Sequence, residues 1–274
     1  MARKTLNNFW QRAITGVIFV VALVLSIISG ERSLALVFGF AAIIGTSEFT
    51  RIIGRPARNT FQGGFAMLST AVLYSLISAY ALDLIALKYL AIWIPVVVLQ
   101  ISSELFSKKP AFIPLGLNVF GTVLVASSFG SIQLVAHVFG FYDYTIPLGF
   151  FIFLWINDTG AYLMGKWRGK TKLIPKISPG KTVEGFVGGV GLTLSAAFIA
   201  STFDTPLNRP DWMAMAIIVS IFSNFGDWTE SMLKRTYEVK DSGRVLPGHG
   251  GILDRFDGVL LAMPMLLFYF LLRY

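Results

Sequence analysis

The chain has 274 residues, of which 55% are hydrophobic and only 14% are charged, and its mean hydropathy is +0.68. Soluble domains carry about 25% charged residues, so this composition excludes an ordinary water-soluble protein and favours a membrane protein. The absence of cysteine excludes disulfide scaffolds, thiolate zinc sites and thiol nucleophiles. Any chemistry must therefore use carboxylates, amines, hydroxyls, backbone amides and an added metal ion.

Long apolar runs recur along almost the whole chain, and crossing a bilayer core takes about 20 helical residues. The runs lack the period-two alternation of a closed barrel. The sequence therefore predicts an all-α integral membrane protein with about nine transmembrane helices, at residues 13–29, 33–50, 63–82, 84–105, 112–137, 146–165, 183–203, 211–232 and 258–273. The first run is predicted to be a retained anchor and not a signal peptide, because its end offers no small-x-small cleavage site.

The net charge of +8 lies mainly in loops on one side of this arrangement, which argues against a nucleic-acid partner. With nine spans, 19 of the 23 Lys and Arg residues fall on the side of the N-terminus, and the other four are Arg32, Lys88, Arg209 and Arg273. The excess of basic residues in cytoplasmic loops places the N-terminus in the cytoplasm and the C-terminus outside. The compact size favours a bacterial inner membrane.

We expect one polytopic membrane domain over residues 1–274, with N-terminal helices over 1–140 and a catalytic half over 141–274. The longest polar stretches are two predicted cytoplasmic loops, residues 166–182 and 233–257. Since no separate soluble domain is predicted, the active site is expected at these loops.

Ionisable side chains inside a span are costly and usually mark a functional surface. Five acids stand in or at the ends of predicted spans: Glu48, Asp158, Glu184, Asp227 and Glu230. Asp158 has no basic neighbour within one turn, so it needs a partner on another helix or a metal ion. Glu48 could be functional, or it could reach the interface and pair with Arg51. Glu104 is predicted to pair with Lys108 at the interface.

The eighth predicted span carries a polar stripe. Asp227, Glu230, Ser231 and Lys234 are spaced i, i+3, i+4 and i+7, which places them on one helical face. A Glu230–Lys234 ion pair that caps the helix is the simplest interpretation. The segment that follows favours a functional one.

Residues 231–257 read SMLKRTYEVKDSGRVLPGHGGILDRFD, a pattern typical of a site for polyanions. Gly248, Gly250 and Gly251 allow positive φ and close approach, so backbone amides can face phosphate oxygens. Asp254 and Asp257, three residues apart, can present two carboxylates to a hard cation. Mg²⁺ prefers one or two carboxylates together with phosphate oxygens, and Asp227 and Asp254 are the predicted pair of ligands.

The same segment resembles the signature of the phosphatidate cytidylyltransferases, also called CDP-diacylglycerol synthases. It is similar to that family's Ser-x-x-Lys-Arg, Lys-Asp, Leu-Pro-Gly-His-Gly-Gly and Asp-Arg-x-Asp elements, in order. Further matches are DTGAY at 158–162, SPGKTVEG at 178–185, and Gly226-Asp227 with Glu230-Ser231. The resemblance covers the C-terminal half. One departure is Gly180, where relatives more often carry a second basic residue.

The resemblance implies attack by the phosphate of phosphatidic acid on the α-phosphorus of CTP, with release of pyrophosphate. Because the nucleophile is already an anion, catalysis reduces to positioning two polyanions and neutralising charge. The implied catalytic residues are Asp227, Asp254, Lys234, Lys240 and Asp257. The implied substrate-binding residues are Ser178, Lys181, Thr182, Arg235, Asp241, Gly248, His249, Gly250, Gly251 and Arg255, and the supporting residues are Asp158, Glu184, Glu230 and Ser231.

Several of these roles keep an alternative. His249 could donate to a phosphate or only lock its loop, and Lys240 with Asp241 could be a surface ion pair of small energetic weight. Glu184 is expected to orient Lys181. Mg²⁺ is the implied cofactor, with room for a second cation, and CTP, phosphatidic acid and membrane lipid are the implied partners. Gly185 and Gly189 offer a face for close helix packing, within the chain or between the copies of a homodimer.

Three rival hypotheses are less consistent with the sequence. A P-loop would need glycine at Pro175 or Met164, five residues before Gly180 or Gly169. A secondary transporter typically shows inverted repeats, and the Gly-rich segment has no second copy. A CDP-alcohol phosphotransferase would carry an Asp-Gly-x-x-Ala-Arg pattern, which is absent from the chain.

Overall fold

The computed structural model describes residues 2–54, 60–107, 110–243, 245, 248 and 250–274. The chain forms two compact units. The first unit comprises Met1–Leu134 and Thr236–Phe256, and the second comprises Val135–Arg235 and Asp257–Tyr274. Residues 231–257, the signature segment, are therefore divided. Residues 236–256 belong to the first unit, whereas residues 231–235 and Asp257 belong to the second.

The first unit is helical throughout its regular structure. Its elements are α1 (Ala2–Ile28), α2 (Glu31–Ile53), α3 (Thr60–Ala81), a 3-10 helix (Leu87–Ile92), α4 (Trp93–Leu105), most of α5 (Phe112–Ala136) and the one-turn α9 (Leu253–Phe256). The core contains an aromatic cluster in which Phe256 meets Phe38 and Phe129 edge-on, with ring centroids 5.8 and 5.1 Å apart. The signature segment is thereby anchored to helices that precede it by more than a hundred residues.

The second unit contains α6 (Thr145–Arg168), α7 (Val183–Ala200), most of α8 (Arg209–Thr236) and α10 (Val259–Arg273). Between α6 and α7 lies a hairpin of two antiparallel strands, β1 (Lys172–Ile174) and β2 (Ser178–Thr182). The all-α prediction missed this hairpin. Three and five residues in a polar loop give little periodicity, so the sequence carries a weak strand signal there.

Glycines set the close packing of α6 on α7. A Cβ at Gly189 would collide with Asn157, and one at Gly185 would collide with the Ala161 carbonyl oxygen. The predicted small-residue face therefore packs within the chain, where it brings the start of α7 close to α6.

A buried carboxylate joins α8 to α10 in the second unit. Asp211 is fully buried and accepts hydrogen bonds from the Tyr269 hydroxyl at 2.7 Å, the Tyr274 hydroxyl at 2.6 Å and Arg273 Nε at 3.3 Å. These donors account for the burial of this acid without any ligand.

Helices lie at each of the nine predicted spans, but they differ in length and polarity. Six helical segments are long and apolar enough to cross a membrane, among the residues that the structure describes: Glu31–Ile53, Phe61–Ala81, Leu87–Leu105, Phe112–Ala136, Thr145–Arg168 and Val183–Ala200. Ala13–Ile28 and Val259–Arg273 are shorter apolar helices, and α8 is not among the six. The fold is that of an α-helical membrane protein, and the count of nine spans stays a prediction.

Candidate active site

Three carboxylates meet near the C-terminal end of α8, which the sequence predicts to lie on the cytoplasmic side. Asp227, Glu230 and Asp257 each offer an oxygen, and these oxygens lie within 4.8 Å of one another. Glu230 is buried, whereas Asp227 and Asp257 are half-buried. We call these three residues the carboxylate cluster. Such a set of oxygens suits a hard cation.

Two lysines accompany the carboxylate cluster. Lys181, at the end of β2, forms a salt bridge with Asp227 and donates to Asn224 Oδ1 at 2.9 Å. Lys234 Nζ lies 2.5 Å from Glu230 Oε2, one turn further along α8. The predicted Glu230–Lys234 pair is confirmed, and it forms part of the cluster as well as a helix-end pair.

Close backbone contact places Asp257 in the cluster. A Cβ at Gly226 would overlap the Asp257 carbonyl oxygen, so only glycine allows α8 to approach this residue. The Asp257 carboxylate accepts the Gly258 amide at 2.7 Å. Burial raises the pKa of Asp257, and the neighbouring Asp227 carboxylate raises it further. A cation bound between these carboxylates would reduce the repulsion between them.

A cavity of about 380 Å³ lies beside Lys181 in the second unit. Its walls combine Asp158, Tyr162 and Lys166 of α6 with residues of β2, α7 and α8. The volume is within the range of small-molecule sites. Lys181 of β2 is thus a basic neighbour of Asp158 on another element.

The β2–α7 junction is held by its own side chains. Thr182 is the N-cap of α7, and its hydroxyl accepts the Gly185 amide at 3.1 Å. Glu184 accepts the backbone amides of Lys170 and Thr171 at 3.1 Å each. The expectation that Glu184 orients Lys181 is wrong, because Lys181 is held by Asp227 and Asn224.

Glu48 organises the signature segment in the first unit. Its carboxylate is fully buried and accepts the Leu253 amide at 2.8 Å, the Ile252 amide at 3.1 Å and the Ser242 hydroxyl at 3.3 Å. The hypothesis of an interfacial residue that pairs with Arg51 is therefore wrong. Glu48 is an internal anchor for a loop about two hundred residues away in sequence.

Asp254 lies in the same network of the first unit. It accepts the Gly251 amide at 2.8 Å and the Ser242 amide at 3.0 Å. Gly248 and Gly250 have φ of +78° and +87°, which confirms the positive φ predicted for them. Gly251 serves close packing instead, since a Cβ there would collide with Ser242 and Glu48. Its amide is donated to Asp254 and so does not face a phosphate.

The other predicted site residues divide by unit and exposure. Arg235 in the second unit is exposed, as are Lys240, Asp241, Gly248 and Arg255 in the first. Ser178 is half-buried on β2, and the Ser231 hydroxyl lies 3.4 Å from Asp227 Oδ1. His249 lies outside the described residues, so its two predicted roles stay open.

Asn224 is a site residue that sequence reasoning missed. It contacts Lys181, and it stands three residues before Asp227 on α8. Extending the polar stripe by one turn towards the N-terminus would have found it. Trp228, whose ring centroid lies 5.7 Å from Lys181 Nζ, offered no comparable signal because aromatic residues are common throughout this chain.

The fold and the site define a multi-pass helical membrane protein with a cluster of carboxylates and lysines. Residues 10–273 match the model of the family described as Cytidylyltransferase family. A phosphatidate cytidylyltransferase of Bacillus subtilis strain 168 is 38% identical over 265 residues, which cover 87% of this chain and 93% of the relative. One of Staphylococcus aureus strain COL is 39% identical over 200 residues, which cover 70% and 76% respectively.

A shorter match is closer in sequence. A phosphatidate cytidylyltransferase of Staphylococcus haemolyticus strain JCSC1435 is 50% identical over 117 residues, 42% of this chain. The chain belongs to the phosphatidate cytidylyltransferase family, and it is a nucleotidyltransferase. The resemblance that the signature segment carries is confirmed.

Proposed function

We propose that this protein transfers the cytidylyl group of CTP to phosphatidic acid, giving CDP-diacylglycerol and pyrophosphate. An oxygen of the lipid phosphate forms a bond to the α-phosphorus of CTP. The bond from the α-phosphorus to the bridging oxygen breaks, and pyrophosphate leaves with the electron pair. The names of the relatives support the two substrates, and the six apolar helices support a lipid substrate.

The observation that carries this proposal is the carboxylate cluster with Lys181 at the wall of the cavity. The donor set fits a hard cation, because three carboxylates reach within 4.8 Å of one another. We assign Mg²⁺ to Asp227, with Asp257 and Glu230 as neighbouring acids. When bound, Mg²⁺ supplies positive charge to the phosphate oxygens of the substrates. Asp254 stays a second proposed ligand on the sequence argument alone.

The chain's own cations neutralise the remaining phosphate charge in this proposal. Lys181 is pre-positioned by Asp227 and Asn224, so its ammonium group loses little further side-chain freedom when a phosphate binds. Lys166 lines the same cavity. Lys234, Arg235, Lys240 and Arg255 are proposed to bind the triphosphate or the lipid phosphate, with Ser178 and Thr182 as hydroxyl contacts. No strong base is required, because the attacking lipid phosphate is already an anion.

The location of the reaction relative to the membrane is part of the proposal. The proposed site lies at the cytoplasmic face of a bacterial inner membrane, following the distribution of Lys and Arg. Phosphatidic acid then enters from the inner leaflet. We therefore expect glycerol 3-phosphate, which lacks the acyl chains, to be a poor substrate.

The test is pyrophosphate release from CTP in detergent micelles that contain Mg²⁺, with phosphatidic acid, with glycerol 3-phosphate and with neither. We expect pyrophosphate release that depends on the lipid. We also expect this release to be lost in Asp254→Asn, whose role as a metal ligand is proposed from the sequence alone. Equal turnover of glycerol 3-phosphate would contradict a membrane-facing site. No release from folded wild-type protein would overturn the proposal and favour the secondary-transporter hypothesis. Anion uptake into proteoliposomes would then test that hypothesis.

A further inference from the structure

A second polar cavity lies in the first unit, apart from every residue assigned to cytidylyl transfer. It has a volume of about 90 Å³ and is lined by the C-terminal ends of α2 and α4 and the N-terminal parts of α3 and α5. Gln62, Glu104 and Asn118 contribute its polar wall. All three side chains are at least nine-tenths buried, with exposed fractions of 3%, 5% and 5%.

Among the described residues, which do not include the predicted Glu104 partner Lys108, each of these side chains brings an acceptor oxygen without a hydrogen-bond partner. The atoms are Gln62 Oε1, Glu104 Oε2 and Asn118 Oδ1. The other groups of two of these side chains are engaged, since Glu104 Oε1 accepts the Ala111 amide at 2.8 Å and Gln62 Nε2 donates to Ser103 at 3.0 Å. A buried acceptor without a partner costs about 1–3 kcal/mol, and a buried charge costs more. Three side chains with such oxygens line one cavity, which favours a common electropositive ligand.

The charge of the cavity limits the nature of that ligand. Glu104 is the one ionisable residue among the described residues that line it, so the described part of the wall has one acidic group. Hard cations take oxygen ligands from carboxylates and from amide carbonyls. One carboxylate with two neutral amide oxygens balances one positive charge, whereas divalent sites usually gather more carboxylates.

We propose that this cavity binds a small monovalent cation, with Glu104 as the charged ligand and Gln62 and Asn118 as neutral oxygen ligands. The bound ion ties the end of α4 to α3 and α5, and so stabilises the first unit. This role is independent of the carboxylate cluster, whose residues belong to the second unit.

The test is the thermal unfolding midpoint of the full-length protein in detergent, in KCl or NaCl against choline chloride at equal ionic strength. A ligand that binds the native state stabilises it in proportion to the logarithm of its concentration above saturation. We expect a rise on the order of a few °C for at least one of the two ions. In Glu104→Gln, which keeps an oxygen for the Ala111 amide, the ion-specific rise should disappear. Asp227→Asn, in the other unit, is the matched control and should retain it.

A second variant keeps the proposal testable if Glu104→Gln folds poorly. Asn118→Asp adds a second carboxylate, so the site should gain a response to Ca²⁺. The comparison is made in the Asp227→Asn background, in which the carboxylate cluster is weakened, and Asp227→Asn alone is the reference for the Ca²⁺ response. A gain of Ca²⁺ stabilisation supports a cation site at these oxygens.

Two results would overturn the proposal. One is an equal midpoint in all three chloride salts, which would assign the oxygens to water. The other concerns Lys108 and Lys109, which lie outside the described residues. If replacing either by methionine lowers the midpoint in wild type but not in Glu104→Gln, the chain itself supplies the positive charge and no ion is bound.

Discussion

The buried acid Glu48 of the first unit and the carboxylate cluster of the second unit differ in the groups that surround their carboxylates. Glu48 in the first unit is fully buried, and its oxygens accept two backbone amides and a hydroxyl. Asp227, Glu230 and Asp257 in the second unit face one another within 4.8 Å. An acid surrounded by backbone donors is stabilised by the fold, whereas acids that repel one another are stabilised by positive charge. Lys181 and Lys234 supply part of that charge, and the proposed metal ion would supply the rest. The first arrangement therefore indicates structure, and the second indicates chemistry.

The largest effect is expected at Asp227. Asp227→Asn keeps the shape of the side chain but removes the charge that Lys181 and the proposed metal ion share. Pyrophosphate release should fall by at least about 10²-fold, the usual cost of losing one electrostatic element of a transition-state site. The unfolding midpoint should change little, because Asp227 is only half-buried. Wild-type activity in this variant would contradict a catalytic role for the carboxylate cluster.

Glu48→Gln should lower stability more than activity, which is the reverse of the effect expected for Asp227→Asn. The amide nitrogen of glutamine cannot accept from Ile252 or Leu253, so at least one buried donor loses its partner. Each loss of this kind costs about 1–3 kcal/mol, and we expect a clearly lower unfolding midpoint. Activity per folded molecule should fall less than in Asp227→Asn. A wild-type midpoint combined with lost turnover would instead give Glu48 a chemical role.

Gly251→Ala examines the same anchor from the loop side. The added Cβ collides with the Ser242 hydroxyl and with Glu48, so this variant should be destabilised by about 1–3 kcal/mol. Gly116→Ala in α5 is the matched control, because its Cβ would meet no atom within 4 Å. Denaturation of both variants side by side separates a packing effect from general sensitivity. Equal stability of the two would contradict the close contact with Glu48.

The smallest effect is expected at Thr182. Thr182→Val removes the hydroxyl that caps α7, at a cost of about 1 kcal/mol in stability. Because the hydroxyl is also a proposed phosphate contact, the KM for CTP or for lipid should rise moderately in steady-state assays. A lower stability with both KM values at wild-type levels would restrict Thr182 to its role as the cap of α7.

The sequence predicts the helices well, because lipid imposes long apolar runs that are visible without any contact information. It also predicts the polar stripe of α8 and the positive φ of Gly248 and Gly250, which follow from local spacing and residue type. It does not find the partners of Glu48, since a hydrogen bond between residues 48 and 253 leaves no local pattern. The sequence also predicts Glu184 instead of Asp227 as the partner of Lys181, because the contact between residues 181 and 227 leaves no local pattern either.

The carboxylate cluster shows what each kind of evidence adds. Spacing alone places Asp254 and Asp257 on one face, and the ligand preference of Mg²⁺ is the basis for predicting Asp227 with Asp254 as ligands. The structure groups Asp257 with Asp227 and Glu230, because α9 ends at Phe256 and the chain then passes against Gly226. A short helix end of this kind depends on packing, which periodicity does not encode.

The most direct test of the central claim is the Mg²⁺ dependence of pyrophosphate release in wild type and in Asp257→Asn. Loss of a residue that supports a metal ligand typically costs about 10–100-fold in metal affinity or activity, and Asp257 is the proposed neighbour of the ligand Asp227. We predict that half-saturation by Mg²⁺ rises by at least about tenfold, with an unfolding midpoint near that of wild type. Unchanged rate and unchanged Mg²⁺ dependence in the folded variant would contradict the assignment of catalysis to the carboxylate cluster.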